Sequence, residues 1–204
     1  MAKKIGIMGG SFDPVHLGHL IVAQDAIERL ELSQVIFIPA SMPPHKQHLR
    51  LLAPEHRLNM LKLAVEADMR FSVSDIELKR GGVSYTVDTV HQLKEEYPGA
   101  ELYLIIGSDT LVELDTWKDI EEIMNQCIIA AFVRPGEDIR KEIRKKIKLN
   151  EKYCDRLMNH LIETHRIEIS STEIRMRIAE GLSIRYLVPP EVEMYIYEHG
   201  LYTG

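Results

Sequence analysis

The chain has 204 residues, of which 45% are hydrophobic and 27% are charged, as in ordinary globular proteins. Its net charge of −6 at pH 7 argues against a general nucleic-acid-binding protein, although a small phosphate pocket needs only local positive charge. No apolar run in the sequence is long enough to span a membrane, and two cysteines are too few for a disulfide framework. We therefore expect a cytoplasmic protein with a single domain over residues 1–204, helical from about 170 onwards.

Short apolar runs alternate with segments of helical periodicity along the chain. Strands are predicted at residues 3–8, 35–38, 71–73 with 76–78 as an extension, 102–106, 128–133 and 167–169. Helices are predicted at 17–30, from Pro54, from Tyr85-Thr86 to about 97, in short pieces around Trp117, after Ser171, and from Pro190 to a stop at Gly200. This alternation predicts an α/β fold: a Rossmann-like, doubly wound, mainly parallel sheet with helices on both faces.

The stretch from Gly9 to His19 joins the first predicted strand to the first predicted helix. Glycines let the backbone approach a ligand closely, and a helix N-terminus offers unpaired N–H groups to phosphate. His16 and His19 lie three apart in the first helical turn, so they share one face and can add hydrogen-bond donors. Because ligands bind beyond the carboxyl ends of parallel strands, this stretch and Gly107–Asp109 are predicted to share one crevice.

Each candidate residue also has a purely structural interpretation. The two histidines could cap or pack, and a metal site there would lack a completing Cys or carboxylate cluster. Ser170 and Glu173 have the spacing of a capping box, so this segment is either only a helix start or also an anion site. Asp109 is either a helix cap or a ligand contact, and a single tryptophan such as Trp117 usually belongs to the core.

Two motifs resemble those of a known superfamily. Residues 10–19, GSFDPVHLGH, are similar to the GSFDPxHxGH signature of the nucleotidylyltransferases, and residues 169–175, ISSTEIR, match their ISSTxIR signature. Together with the PPHK segment at 43–46, the chain looks most like the bacterial nicotinate-nucleotide adenylyltransferases over nearly its whole length. The resemblance implies that it transfers the adenylyl group of ATP to nicotinate mononucleotide, releasing pyrophosphate in NAD biosynthesis, and that Mg²⁺ enters with ATP.

The resemblance also implies roles for individual residues. The residues implied to act on the phosphates during catalysis are His16, His19, Lys46 and Arg175. Those implied to bind ATP are Gly9, Gly10, Ser11, Phe12, Gly18, Ser171 and Thr172. The mononucleotide is implied to contact His45, Tyr85, Thr86, Asp109 and Trp117, with Trp117 stacking on the pyridine ring and the N–H groups at Tyr85-Thr86 holding the carboxylate. Many relatives have tyrosine after this tryptophan, whereas this chain has Lys118.

Three other functions remain open at the level of sequence. Phosphopantetheine adenylyltransferases share parts of both signatures, but His16, the PPHK segment and Trp117 favour the nicotinate enzymes. An enzyme that prefers nicotinamide mononucleotide is a closer alternative, and a non-catalytic nucleotide-binding module is a third. The expected partners are ATP and nicotinate mononucleotide, without nucleic acid or membrane, and a homo-oligomer is left open.

Overall fold

The computed structural model describes residues 2–44, 51–111, 113–133, 147–165 and 167–203. Its strands are β1 (Lys4–Gly10), β2 (Gln34–Pro39), β3 (Phe71–Val73), β4 (Glu101–Gly107), β5 (Ile128–Val133) and β6 (Leu161–Glu163). They form one sheet in the order β3-β2-β1-β4-β5-β6, and every neighbouring pair is parallel. This order is that of a doubly wound Rossmann-type sheet, so the predicted fold class is confirmed.

Helices connect successive strands and cover the sheet. They are α1 (Leu17–Leu30), α2 (Pro54–Val65), α3 (Ile76–Arg80), α4 (Thr86–Glu96), α5 (Ser108–Leu111), α6 (Ile120–Gln126), α7 (Glu151–Asn159), α8 (Ser171–Ala179) and α9 (Pro190–Glu198), with a 3₁₀ helix at Leu114–Thr116. No helix in the described ranges combines the length and the apolar character needed to cross a membrane.

The core consists of two apolar clusters, one on each face of the sheet. Successive strand residues point to opposite faces, so Leu102 and Leu104 belong to one cluster and Tyr103 and Ile105 to the other. The first cluster packs the sheet against α4, α6 and α7, and the second packs it against α1, α2, α8 and α9. The helix starts of α1 and α4 therefore approach the carboxyl edge of the sheet from opposite faces.

The prediction that 76–78 extends the third strand is wrong. Ile76 and Glu77 open the short helix α3, while β3 ends at Val73 on the edge of the sheet. An apolar–polar–apolar triplet fits a strand and a single helical turn equally well, so the pattern could not separate them. The helix matters for the site, because it turns the Glu77 side chain into the interior.

The prediction of a last strand at 167–169 is also wrong. The last strand is β6, which pairs with β5 through Ala131 and Leu161. Ile167 and Ile169 lie outside the sheet and line the cavity described below, which accounts for their apolar character without a strand. The three residues of β6 form too short an apolar run to be recognised.

Candidate active site

An open cavity of about 660 Å³ lies at the carboxyl ends of β1 and β4. Its wall includes both stretches that the sequence predicts to share a crevice, namely Gly9, Gly10, Ser11, His16, Gly18 and His19, and Gly107, Ser108 and Asp109. This confirms the predicted juxtaposition. A cavity of this size is in the range that binds small-molecule ligands.

The two histidines stack at the start of α1. Their ring centroids are 3.7 Å apart and the planes are inclined by 31°. His16 is the N-cap residue, and its backbone N–H donates to Nδ1 of His19 at 3.2 Å. Because Nδ1 of His19 accepts this bond, the proton of the neutral ring must be on Nε2, which makes Nε2 a donor. The local helix start thus fixes the tautomer of a cavity-lining histidine.

His16 is the more deeply placed of the pair, with 7% of its surface exposed. Burial lowers the pKa of His16 from 6.5 to about 4, so its imidazole is neutral at pH 7. Within the described residues, its Nδ1 atom is buried and has no hydrogen-bond partner. Unpaired buried polar atoms are uncommon and are often completed by a ligand or an ordered water. His16 therefore lines the cavity as a neutral ring and brings no charge to it near pH 7.

Gly18 provides the space for this arrangement. A Cβ atom at Gly18 would lie 3.0 Å from Nδ1 of His16 and 3.3 Å from a methyl group of Ile167. Such contacts are too close to be accommodated without moving the imidazole or the 167–169 segment. The glycine between the histidines therefore lets them pack closely against the 167–169 segment.

Phe12 supports the pair from inside the protein. Its ring is 2% exposed and packs edge-on to His19, with centroids 4.9 Å apart, and against Phe37 at 5.9 Å. The Phe12 ring does not line the cavity, although the resemblance of the motif to the nucleotidylyltransferase signature implies a contact with ATP at this position. Through its side chain, Phe12 contributes to the site by positioning His19.

A buried arginine that sequence reasoning missed holds the loop before α1. Arg57 is 1% exposed and donates to three backbone carbonyls: Ser11 at 2.8 Å, Ala40 at 2.8 Å and Leu52 at 3.0 Å. It therefore ties together the ends of β1 and β2 below the cavity. Its position on α2 looks like an ordinary solvated helix position in the sequence, so no local signal indicated this role.

The second signature segment packs directly on the first. The Ser170 side chain accepts a hydrogen bond from the Glu173 N–H at 3.1 Å, so it caps α8. Ser171 donates to the Pro14 carbonyl at 2.8 Å, and Nη1 of Arg175 donates to the Asp13 carbonyl at 2.6 Å. The structure thus brings the two motifs together.

The predicted ATP contacts of this segment lie beside the cavity. Nη2 of Arg175 donates to the Thr172 hydroxyl at 3.2 Å. Ser171, Thr172 and Arg175 stand next to the opening loop and do not form part of the cavity wall. Both helix capping and docking against the first motif are therefore established roles of this segment.

On the opposite face of the sheet, aromatic residues form another part of the wall. Tyr85 is the N-cap of α4 and makes no side-chain cap, and Thr86 is the first residue of the helix. Trp117 follows the 3₁₀ helix, packs against the core on one side and borders the cavity. Nζ of Lys118 lies 4.7 Å from the centroid of the Tyr85 ring. The predicted residues Tyr85, Thr86, Asp109 and Trp117 therefore share one cavity with the histidines.

A buried carboxyl group behind α4 was not predicted. Glu77 accepts a hydrogen bond from the Thr89 hydroxyl at 2.6 Å, and Arg80 donates to the same hydroxyl at 2.8 Å. Burial raises the pKa of Glu77 above its usual value, against the opposing effect of hydrogen bonds from Thr89 and Ser84. Ser84 also accepts from the Ser41 N–H at 2.9 Å. This network fixes the loop that leads into α4.

A second buried carboxylate connects α1 to the loop after β6. Asp25 accepts hydrogen bonds from the Thr164 hydroxyl and from Nδ1 of His165, the latter at 3.1 Å. Thr164 and His165 line the cavity. They follow a strand that the sequence did not reveal, so no pattern pointed to them.

Two predicted residues, His45 and Lys46, lie outside the described residues. Pro43 and Pro44, which precede them in the PPHK segment, line the cavity. In the described ranges, no group of three or more His, Cys, Asp or Glu side chains is arranged to hold a metal ion.

Residues 7–177 match the cytidylyltransferase-like family, to which this chain therefore belongs. A protein of Desulfitobacterium hafniense strain Y51 named "Probable nicotinate-nucleotide adenylyltransferase" is 44% identical over 201 residues, covering 98% of this chain and 96% of the relative. A protein of the same name from Lachnoclostridium phytofermentans is 41% identical over 200 residues, covering 98% and 99%. The family expected from the two motifs is thus confirmed.

The fold recurs in a solved structure. Plasmodium falciparum nicotinic acid mononucleotide adenylyltransferase, complexed with NaAD, superposes with a TM-score of 0.74 at 20% sequence identity, covering 98% of this chain and 97% of that one. At this level of identity the likeness establishes a common architecture.

Proposed function

We propose that the chain transfers the adenylyl group of ATP to nicotinate mononucleotide, giving nicotinate adenine dinucleotide and pyrophosphate in NAD biosynthesis. The observation that carries the proposal is a single cavity that joins the His16–His19 pair to the Tyr85–Trp117 wall. The first is suited to phosphate and the second to a flat pyridine ring with an anionic substituent. The names shared by relatives that align over nearly the full length support the same reaction.

The reaction needs no nucleophile from the protein. A phosphate oxygen of nicotinate mononucleotide attacks the α-phosphorus of ATP and forms a new P–O bond. The bond from that phosphorus to the bridging oxygen of the β-phosphate breaks, and its electron pair leaves with pyrophosphate. Catalysis then rests on positioning the two phosphates and stabilising the charge that develops on them.

The structure suggests how the histidines divide this work. His19 carries its proton on Nε2 in the neutral ring, so it can donate a hydrogen bond to a phosphate oxygen. His16 is neutral near pH 7 and lines the cavity beside it. The N–H groups at the start of α1 add a partial positive charge. In line with the sequence resemblance, we assign a full positive charge at the phosphates to Lys46. We assign a second to Arg175, which lies beside the cavity with one guanidinium nitrogen donating to the Asp13 carbonyl.

We expect ATP to be used as its Mg²⁺ complex, with the ion held by the phosphates of the substrate. Both cysteines are buried thiols that form no disulfide, as suits a cytoplasmic protein, and we expect the reaction to take place in the cytoplasm.

The direct test is pyrophosphate release from Mg-ATP with nicotinate mononucleotide, nicotinamide mononucleotide or phosphopantetheine in parallel. We expect strong release with the nicotinate substrate and identification of nicotinate adenine dinucleotide by mass. Release with phosphopantetheine alone would keep the family and overturn the substrate. Binding of ATP without release in any of the three reactions would indicate a non-catalytic module.

A further inference from the structure

Lys118 occupies an unusual position on the cavity wall. Its ammonium lies 4.7 Å from the centroid of the Tyr85 ring, while the other cation–ring contacts of the described residues span 5.8 to 6.0 Å. A cation at this distance is attracted to the face of the ring. The contact holds the end of an otherwise exposed side chain beside the start of α4.

This places two positive features next to each other. Tyr85 is the N-cap of the eleven-residue helix α4, whose first N–H groups carry a partial positive charge. No carboxylate in the described ranges forms an ion pair with Lys118. Asp115, the nearest acidic residue before it in the chain, accepts a hydrogen bond from the Lys148 N–H instead. An anion between the ammonium and the helix start would relieve the repulsion between them.

The backbone around Lys118 is fixed on both sides. The Trp117 N–H donates to the Leu114 carbonyl at 3.2 Å, and Asp119 has a left-handed conformation with φ of 51° as the N-cap of α6. Trp117 is held against the core cluster. Trp117, Lys118 and Thr86 line the same cavity, so a pyridine ring stacked on Trp117 would share that cavity with the Lys118 ammonium and the start of α4.

We propose that the Lys118 ammonium binds the carboxylate of the pyridine substrate and sets the preference for nicotinate over nicotinamide mononucleotide. The inference rests on the proposed function and adds a residue to it. A carboxylate gains from both positive features, whereas the neutral amide gains little from either. Lys118 is thus a specificity-determining residue on the cavity wall.

The test compares Lys118→Met, which keeps the length of the side chain, with Lys118→Arg, which keeps the charge. The kcat/KM of each variant is measured with both mononucleotides at low and high salt. For Lys118→Met we expect the nicotinate value to fall about tenfold and the nicotinamide value to stay nearly constant. Lys118→Arg should retain the ratio of kcat/KM for nicotinate to that for nicotinamide mononucleotide. High salt should lower this ratio in the wild type and leave the already reduced ratio of Lys118→Met unchanged.

Lys62→Met is the matched control, because it removes the same charge from an exposed position on α2 outside the cavity. An equal loss with both substrates, or no change in their ratio, would overturn the inference while leaving the proposed function intact. If the wild-type protein released no pyrophosphate with nicotinate mononucleotide, this result would contradict both the proposed function and the role of Lys118.

A binding measurement gives an independent check. Trp117 is the only tryptophan in the chain, so its fluorescence reports on this wall of the cavity. Nicotinate mononucleotide should quench Trp117 with about tenfold weaker affinity in Lys118→Met than in the wild type or Lys62→Met. Equal affinities in all three proteins would contradict the role of Lys118.

Discussion

The two ends of the cavity are built in different ways. At the end that we propose for the phosphates, His16 and His19 come from one contiguous motif, stack on each other and pack against a buried phenylalanine and a glycine. At the end that we propose for the pyridine ring, Tyr85 and Trp117 come from separate segments and are partly exposed, and a hydrogen-bond network behind α4 holds the loop that carries Tyr85. The first end is closely packed and suited to chemistry shared by a family. The second is assembled from parts that can change separately and is suited to selecting one substrate.

This contrast predicts that substitutions at the histidine end mainly lower kcat, whereas substitutions at the aromatic end mainly raise KM for the mononucleotide. Removing the Nε2 donor with His19→Asn should lower kcat at least about a hundredfold, because loss of one positioned donor to a developing charge commonly has this size. Asparagine keeps an oxygen that can accept the His16 N–H, so the helix start should remain. A folded variant with near-normal kcat in steady-state pyrophosphate release would remove His19 from the catalytic set.

Burial of His16 should make stability depend on pH. Its pKa is about 4 in the folded protein and 6.5 when unfolded, so the unfolded chain binds more protons as the pH falls below 6.5. The free energy of unfolding should therefore fall by about 2 kcal/mol from this group between pH 7 and pH 5. Urea unfolding of wild type and His16→Gln at both pH values measures this contribution. The variant should lose less stability than the wild type, and equal losses would contradict the burial of a neutral imidazole.

At the pyridine end, Trp117→Ala should mainly affect binding. Loss of the stacking surface should raise KM for nicotinate mononucleotide about tenfold and leave kcat within a fewfold of wild type. Trp117→Phe, which keeps an aromatic face, serves as the control. Its KM for nicotinate mononucleotide should lie between those of the wild type and Trp117→Ala. An unchanged KM in Trp117→Ala would return this residue to a structural role.

Substitutions in the hydrogen-bond network behind α4 should have the smallest effect on KM for the mononucleotide. Thr89→Val removes the hydroxyl that joins Arg80 to Glu77 and should raise KM for the mononucleotide about threefold, because the loop before α4 loosens. Glu77→Gln keeps an acceptor for Thr89 and should change KM less. A Thr89→Val protein with normal KM and normal thermal stability would show that the network does not position this loop.

The same contrast explains what could be predicted from sequence. Strands β1 to β5, the α1 start and the phosphate motif follow from local patterns, and the carboxyl ends of β1 and β4 meet because the sheet is parallel. Arg57, Glu77 and Asp25 were missed because their partners lie in other segments, up to 140 residues away for Asp25 and His165. Burial and pairing of polar side chains depend on tertiary packing, which periodicity does not encode.

In our proposal, one cavity binds the mononucleotide at its aromatic end, and adenylyl transfer takes place at its histidine end. The most direct test is to titrate nicotinate mononucleotide into wild type and His19→Asn while following Trp117 fluorescence, and to measure turnover of the same samples. We expect Trp117 quenching in both proteins with dissociation constants equal to within about threefold, although turnover of His19→Asn falls at least about a hundredfold. Affinity that falls in step with turnover would contradict the separation of the two ends, and absence of quenching in the wild type would contradict binding beside Trp117.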